Sequence, residues 1–133
     1  MTKNYWQELK VEEKIREILG EVEIRKKGDG SPHHFGRPYM TCYQIAIKFR
    51  EKFPNEFKIF NDNGFPIGGK GTNQHNSFPQ YIALQLSKKI DDLGGIEGRF
   101  LSHESLETLR YKDNNELIEF SGTNYEPSIF RLK

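Results

Sequence analysis

The hydrophobic pattern of the chain changes at Gly94-Gly95, and this change constrains the fold more than any other feature. Before it, apolar residues recur at the three- and four-residue spacing of amphipathic helices. After it, they come in short runs such as IEGRFL and LIEFSG, separated by turn residues such as DNNE, as is typical of strands. The chain has 133 residues, the length of one domain. We therefore expect a single α+β domain over residues 1–133, helical over about 4–92 and β-rich over about 96–133.

Three helices are predicted in the first part. One stripe of apolar residues predicts a helix from about Tyr5 to Leu19. Thr41 and Gln44 have the S/T-x-x-E/Q spacing of a capping box, which predicts a second helix that ends at Pro54. The same spacing at Ser77 and Gln80 predicts a third helix that runs to about Ile90.

The segments between these helices are predicted to be loops, except that Glu21 to Lys27 alternates weakly and could form a short strand. Gly28 to Pro38 is rich in glycine, proline and serine. Asn55 to Asn76 is a long connection with a possible short strand at Phe57 to Phe60, and long connections of this kind are often functional. The single cysteine, Cys42, lies on the apolar stripe of the second helix and is predicted to be a small core residue.

The β-rich part contains the pattern of a hairpin with its turn at Asp113 to Glu116, and Pro127 fits the first residue of an edge strand. Three helices followed by a small antiparallel sheet resemble a winged-helix domain. Under that resemblance, Ser77 to Lys89 would enter the DNA major groove and the hairpin would be the wing. More than twenty residues separate the second and third helices, whereas about three or four join them in helix-turn-helix motifs. An α+β domain with the same element order and no role on DNA therefore stays open.

The positive charge of the chain is concentrated in one segment, and the chain as a whole is nearly neutral. The formal net charge is only +1, but residues 24–59 hold eight Lys and Arg against three Asp and Glu. No apolar run approaches the roughly 18 residues of a membrane span, which excludes an integral membrane protein. The first ten residues lack the apolar core of a signal peptide, so a cytoplasmic location is expected.

Two loops and the start of the third predicted helix supply the predicted binding residues. The Gly-rich loop, Gly64 to Asn76, resembles a phosphate-binding loop at Gly64 and Gly69-Lys70. Gly71 stands where that motif needs Ser or Thr to hold magnesium, so a looser anion site is expected there. The basic loop contains Arg25, Lys26 and Lys27 and ends in Gly36-Arg37-Pro38. Gly-Arg-Pro is the core of the AT-hook tripeptide, whose arginine enters the minor groove of A·T-rich DNA. The predicted contact residues for nucleic acid or another anion are Arg25, Lys26, Lys27, Arg37, Gly68, Gly69, Lys70, Gly71, Gln74, His75, Asn76 and Gln80.

No catalytic residue, metal site or cofactor is predicted. The four histidines follow no metal-binding spacing, and no acid and base pair can be assigned. The expected function is therefore a non-enzymatic binding protein, with nucleic acid ranked first as the partner. A protein-interaction, regulatory or inhibitor module that acts as an oligomer is the alternative, because aromatic residues, 13% of the chain, anchor interfaces. A small-ligand or anion binder at Gly68 to Asn76 is the third possibility.

Overall fold

The computed structural model describes residues 4–24, 36–67, 77–102, 104–105, 108–113, 116–121 and 127–133. The helices in these ranges are α1 (Tyr5–Glu8), α2 (Val11–Gly20), α3 (Cys42–Lys52), α4 (Pro54–Asp62) and α5 (Phe78–Lys89). The strands are β1 (Met40–Thr41), β2 (Ile96–Phe100), β3 (Thr108–Asp113), β4 (Glu116–Ser121) and β5 (Ser128–Leu132).

The architecture is α+β with small antiparallel sheets, as the sequence predicts. A three-stranded sheet has the order β1-β5-β2, and β3 and β4 form a separate two-stranded sheet. Phe130 on β5 is opposite Met40 on β1 and opposite Gly98 on β2. The described ranges contain five helices rather than the predicted three.

The first predicted helix is divided into α1 and α2 at Lys10. The backbone of Lys10 has a left-handed conformation, with φ at 51°, which a right-handed helix cannot continue. The Lys14 ammonium group donates a hydrogen bond of 2.7 Å to the carbonyl oxygen of Leu9, next to this break. The single tryptophan, Trp6, lies buried on α1.

The second and third predicted helices are confirmed as α3 and α5. Thr41 and Gln44 form the reciprocal bonds of a capping box at the start of α3. The Ser77 hydroxyl accepts a hydrogen bond from the Gln80 amide at the start of α5. Cys42 is buried, and burial raises the pKa of its thiol, as suits a core residue.

The prediction of a long connection that begins at Asn55 and holds a strand at Phe57 to Phe60 is wrong over residues 55–62, because these residues belong to α4. Pro54 occupies the first turn of α4, where its fixed φ suits a helix and its missing N–H is no loss. Phe57 and Phe60, three residues apart, share one face and are both buried. In a strand, residues three apart point to opposite faces, so the spacing of these two buried phenylalanines fits the helix, as does the proline at its start.

An aromatic cluster joins α3, α4 and α5. The Phe60 ring lies 4.6 Å from the Phe78 ring between centroids, and the Phe78 ring lies 4.9 Å from the Phe49 ring. All three side chains are fully buried. Burial of several aromatic rings in contact makes this cluster a large contributor to hydrophobic stabilisation among the helices.

The prediction that Pro127 starts an edge strand is wrong. Pro127 lies just before β5, and β5 is the central strand of its sheet. Its carbonyl oxygen accepts a hydrogen bond of 2.9 Å from the Leu101 amide. The second neighbour of β5 is β1, a strand of two residues that leaves no periodic pattern in the sequence.

The predicted hairpin is confirmed as β3 and β4, with Asp113 opposite Glu116 at its end. It packs on α3 through Tyr111, whose ring stacks on that of Tyr43 with centroids 5.3 Å apart. The weak strand predicted at Glu21 to Lys27 is not formed at residues 21–24, and its other residues lie outside the described ranges.

Candidate functional site

Of the predicted contact residues, Arg37 and Gln80 lie in the described part of the chain. The others lie outside it: Arg25, Lys26, Lys27, Gly68, Gly69, Lys70, Gly71, Gln74, His75 and Asn76. Their role in anion binding stays a prediction.

Arg37 joins the end of α2 to the sheet. Its Nη1 donates hydrogen bonds of 2.6 Å to the carbonyl oxygen of Val22 and 3.2 Å to that of Gly20. Its own carbonyl oxygen accepts a hydrogen bond of 3.0 Å from Nη1 of Arg131. A cation at the C-terminal end of a helix is favourable for the helix dipole. The Arg37 guanidinium therefore already has a structural role, and a phosphate would have to share it.

Gln80 lies exposed on the first turn of α5. Leu84, Ser87 and Lys88 are exposed on the same face, at four, seven and eight residues beyond it. This face therefore combines one cation with two neutral polar side chains and an exposed leucine. A helix that reads nucleic acid usually presents more positive charge than this.

Basic side chains in the described ranges are extensively paired with acids. Such pairing reduces the local positive potential that attracts a polyanion. The pairs are Lys14–Glu56, Arg16–Glu12, Lys48–Glu51, Lys52–Glu21, Lys58–Asp62, Arg99–Glu97 and Arg131–Glu97.

A groove of about 300 Å³ lies between the end of α5 and the sheet, and we call it the α5–β2 groove. This volume is at the lower end of the range for ligand pockets. Its lining residues are Ser87 and Ile90 at the end of α5, Gly98, Arg99 and Phe100 on β2, and Ser128 and Phe130 on β5.

Large apolar side chains are exposed near the α5–β2 groove. Phe100, which lines the groove, is 73% exposed, and the next residue, Leu101, is 38% exposed. Leu84, one helical turn before the groove residue Ser87, is 53% exposed. The remaining exposed large apolar side chains in the described ranges are Ile24 and Ile59. An aromatic side chain exposed to this degree next to a groove is typical of an interaction surface.

Opposite charges alternate along β2. Oε1 of Glu97 accepts a hydrogen bond of 3.0 Å from Nη2 of Arg99, and Oε2 accepts one of 2.9 Å from Nε of Arg131. The hydrogen bond from Arg131, with the positive charges nearby, lowers the pKa of the Glu97 carboxyl. Nη1 of Arg99 also donates a hydrogen bond of 2.8 Å to the carbonyl oxygen of Gly98.

A second cavity, of about 310 Å³, lies beside the contact between α3 and β3. It is lined by Met40, Gln44, Ile47, Lys48, Glu51, Arg110 and Tyr111. Lys48 and Glu51 pair with each other at 3.7 Å. The one aromatic side chain among its described lining residues, Tyr111, is buried, whereas Phe100 in the α5–β2 groove is exposed.

The groove residues were not predicted, although the sequence contains a signal for the exposure of Leu84. The apolar stripe of the third helix runs through Ile82 and Leu86, so a leucine midway between them points away from the core. Phe100 offers no such signal, because phenylalanine is usually a buried residue and nothing in the sequence around it indicates exposure. The groove depends on β5, which is distant in sequence from α5 and β2.

Within the described ranges, no group of three or more His, Cys, Asp or Glu side chains lies close enough to hold a metal ion. A search of the described helices finds none with the length and apolar character needed to cross a bilayer. Comparisons with protein-family models, with curated proteins and with solved structures give no match to this chain.

Proposed function

We propose that this chain is a non-enzymatic protein-binding module that uses the α5–β2 groove and its exposed apolar neighbours. The observation that carries the proposal is Phe100, which is 73% exposed beside an apolar depression. An exposed aromatic ring gains hydrophobic free energy when a partner covers it. Aromatic side chains next to pockets are the residues that anchor protein interfaces.

The described charges favour a protein over a nucleic acid as the partner. The described residues that line the groove are Ile90, Phe100 and Phe130, two serines, a glycine and one charged residue, Arg99, which is paired with Glu97. A polyanion has little to bind in such a setting, because phosphate contacts need basic side chains. The apolar centre with a charged rim is the pattern of a protein interface.

The proposal is tested by photo-crosslinking in cells that express the chain. A p-benzoylphenylalanine replaces Phe100 in one variant and Ile59 in the control, since Ile59 on α4 is also exposed, at 39%. We expect light to produce a protein adduct of defined mass at position 100 and none at position 59. The absence of an adduct at position 100, or the same adducts at both positions, would contradict the proposal.

Nucleic-acid binding by a winged-helix arrangement is the second candidate function. It is favoured by the element order, because α5 leads into β2, and the hairpin of β3 and β4 lies in the connection between β2 and its partner β5. In this arrangement α5 would be the recognition helix and the predicted loop residues, Lys70 among them, would bind phosphates.

This second candidate is tested by fluorescence anisotropy of labelled duplex and single-stranded oligonucleotides over ~20–300 mM salt, a range in which phosphate contacts change affinity strongly. Binding that weakens linearly in log salt, with a smaller slope for Lys70→Ala than for Lys58→Ala, would support it. No binding at the lowest salt would exclude it.

A further inference from the structure

We propose that the partner at this surface is a second copy of the same chain, which joins by antiparallel pairing of the two β2 strands about a two-fold axis at Gly98. This inference rests on the proposed function, since it names the occupant of the surface around Phe100.

One edge of β2 has no strand partner in the described part of the chain. β2 pairs with β5 on one side, and the sheet order places it at the edge. The amide of Lys133 donates to the carbonyl oxygen of Gly95 at 2.8 Å, and the amide of Leu101 donates to that of Pro127 at 2.9 Å. The backbone N–H and C=O groups of residues 95 and 101 therefore point towards β5. In a regular antiparallel ladder, those of residues 97 and 99 do the same.

The even positions of β2 consequently direct their backbone groups to the open edge. These positions are Ile96, Gly98 and Phe100. The Ile96 amide donates a long hydrogen bond of 3.4 Å to the carbonyl oxygen of Leu93 in the same chain, and pairing with a second copy must replace this bond. Exposed strand edges of this kind are templates for pairing with another chain. A two-fold axis at Gly98 makes the two copies of Gly98 a hydrogen-bonded pair, and it makes Ile96 and Phe100 hydrogen-bonded pairs on either side.

The side chains are complementary in this register. Glu97 of one copy lies opposite Arg99 of the other, in a non-hydrogen-bonded pair where side chains are closest. The two-fold axis repeats this pair, so both copies contribute one acid and one base. Both copies contribute the same strand, and each residue contacts the same partner residue in the other copy, as in an isologous interface.

The same register covers the most exposed ring. Phe100 of one copy lies opposite Ile96 of the other and diagonal to Gly98, on the sheet face that carries the groove residues Gly98 and Phe130. The pairing therefore places apolar contacts on one face and ion pairs on the other.

Arg99 must change its contact when the copies join. In the single chain its Nη1 donates to the carbonyl oxygen of Gly98, one of the groups that points to the open edge. Pairing replaces this bond by one from the Gly98 amide of the second copy, and the guanidinium is free to bind the opposite Glu97. Substitution of Arg99 therefore tests the interface directly.

The first experiment is sedimentation equilibrium of the purified chain from ~10 µM to ~1 mM, where small interfaces associate. We expect the mass to rise from the 15.6 kDa of one chain towards twice that value. In a dimer of Arg99→Glu, two glutamates are opposite each other at both 97–99 positions, and in a dimer of Glu97→Lys a lysine is opposite an arginine at both. This repulsion between like charges should make each variant alone dimerise at least about tenfold more weakly. Their equimolar mixture restores both ion pairs and should restore the dimer. Lys58→Glu, on the exposed face of α4, is the matched control and should dimerise normally.

The second experiment fixes the register without charge reversal. Glu97→Cys and Arg99→Cys are mixed and oxidised, since facing residues of a non-hydrogen-bonded pair are about 4.5 Å apart between Cα atoms, within reach of a disulfide. Arg99→Cys alone should not bridge, because its two copies are diagonal, roughly 7–8 Å apart. Cys42 is buried and does not compete. A circular dichroism spectrum of every variant serves as the control for folding.

The outcomes separate this inference from the proposed function. A monomer at all concentrations, or a mixture that neither dimerises nor bridges, overturns the β2 pairing. If the photo-crosslinker at Phe100 then captures a different protein, the proposed function stands without this inference. A monomer with no adduct at position 100 overturns both.

Discussion

The Phe130 side chain occupies the space that a β-carbon on Gly98 would need. A β-carbon built at Gly98 would lie 2.8 Å from Cε1 of Phe130, closer than side-chain carbons pack. Phe130 is buried and is opposite Gly98 in the sheet, so the ring lies across the glycine. Phe130 therefore fixes the residue at position 98 through packing.

Gly98→Ala should lower the free energy of unfolding by about 1–3 kcal/mol, because the ring of Phe130 must leave its position. Gly94→Ala is the matched control, since a β-carbon there meets no atom within 4 Å and should change stability by less than about 0.5 kcal/mol. Urea unfolding followed by Trp6 fluorescence measures both. Equal stability of the two variants would refute this packing account.

We expect the Tyr81 hydroxyl to make the stability of the fold depend on pH in alkali. Burial, with a smaller contribution from nearby Tyr5, raises the pKa of Tyr81 to about 12 from its ordinary value of 10.0. The folded state therefore favours the neutral phenol. This contribution to stability is complete below pH 10 and is lost as the pH rises towards 12.

Tyr81→Phe should reduce the fall in unfolding free energy between pH 9 and about pH 11, because the ring stays and the ionisable hydroxyl is gone. Urea unfolding at several pH values gives the comparison. The same pH dependence in the variant and the wild type would show that other groups cause the alkaline destabilisation.

At the scale of elements, α4 organises the helical part through one side chain. The Phe60 ring lies 5.3 Å from the Tyr5 ring, 4.6 Å from the Phe78 ring and 5.0 Å from the Tyr81 ring. These rings come from α1 and α5, so α4 lies between elements that are distant in sequence. The next residue back, Ile59, points outwards on the same helix.

Phe60→Ala should lower the free energy of unfolding by about 3–5 kcal/mol, because it leaves a cavity among fully buried rings. Ile59→Ala on the same helix should cost less than about 1 kcal/mol, since that side chain is exposed. Thermal unfolding measured by circular dichroism compares them. A loss for Ile59→Ala as large as that for Phe60→Ala would contradict the assignment of the buried face.

Elements with local signals could be predicted from the sequence. The cap at Thr41, the cap at Ser77 and the turn between Asp113 and Glu116 each depend on residues within a few positions, so α3, α5 and the hairpin were predicted correctly. The position of β5 depends on pairing with Met40 and Gly98, far away in the chain, and no local pattern encodes it.

The candidate site was the least predictable feature. The sequence analysis placed the site in charged and glycine-rich loops, because these residue types are the ones expected to bind anions. The α5–β2 groove combines the buried Phe130 with half-buried residues such as Ile90 and Gly98 and the exposed Phe100, residue types that do not mark a site by themselves. Arg37 was predicted to bind phosphate by its residue type, and its contacts to Val22 and Gly20 depend on the tertiary fold.

At the scale of the whole molecule, Arg131 connects the sheet to the helical part. Its Nε donates to Glu97 on β2 and its Nη1 to the carbonyl oxygen of Arg37, which in turn holds the end of α2. Its guanidinium also lies 4.5 Å from the centre of the Tyr39 ring. One side chain on β5 thus ties the sheet to the segment that leads into it and, through Arg37, to α2.

Arg131→Lys should lower the midpoint of thermal unfolding at pH 7 by a few degrees, because an ammonium group cannot reproduce the fork of hydrogen bonds. The pKa of Glu97 is lowered in the folded state, so the stability due to that carboxylate is present above its ordinary value of 4.5 and is lost as the pH falls through the folded pKa.

The difference between wild type and Arg131→Lys should therefore shrink in acid. Differential scanning calorimetry between pH 3 and pH 7 measures it. A difference that stays constant over this range would mean that the bond to Glu97 contributes nothing to the stability of the sheet.

The central position of β5 has a consequence for the order of events during synthesis. β5 follows every other described element in the chain, and the strands on either side of it, β1 and β2, do not pair with each other. The helices with their aromatic rings can collapse on a nascent chain, whereas no ladder of this sheet can form until residues 128–132 leave the ribosome. Both strands then gain their partner in a single late step, and until that moment a translating ribosome carries two unpaired strands that chaperones or neighbouring nascent chains can reach.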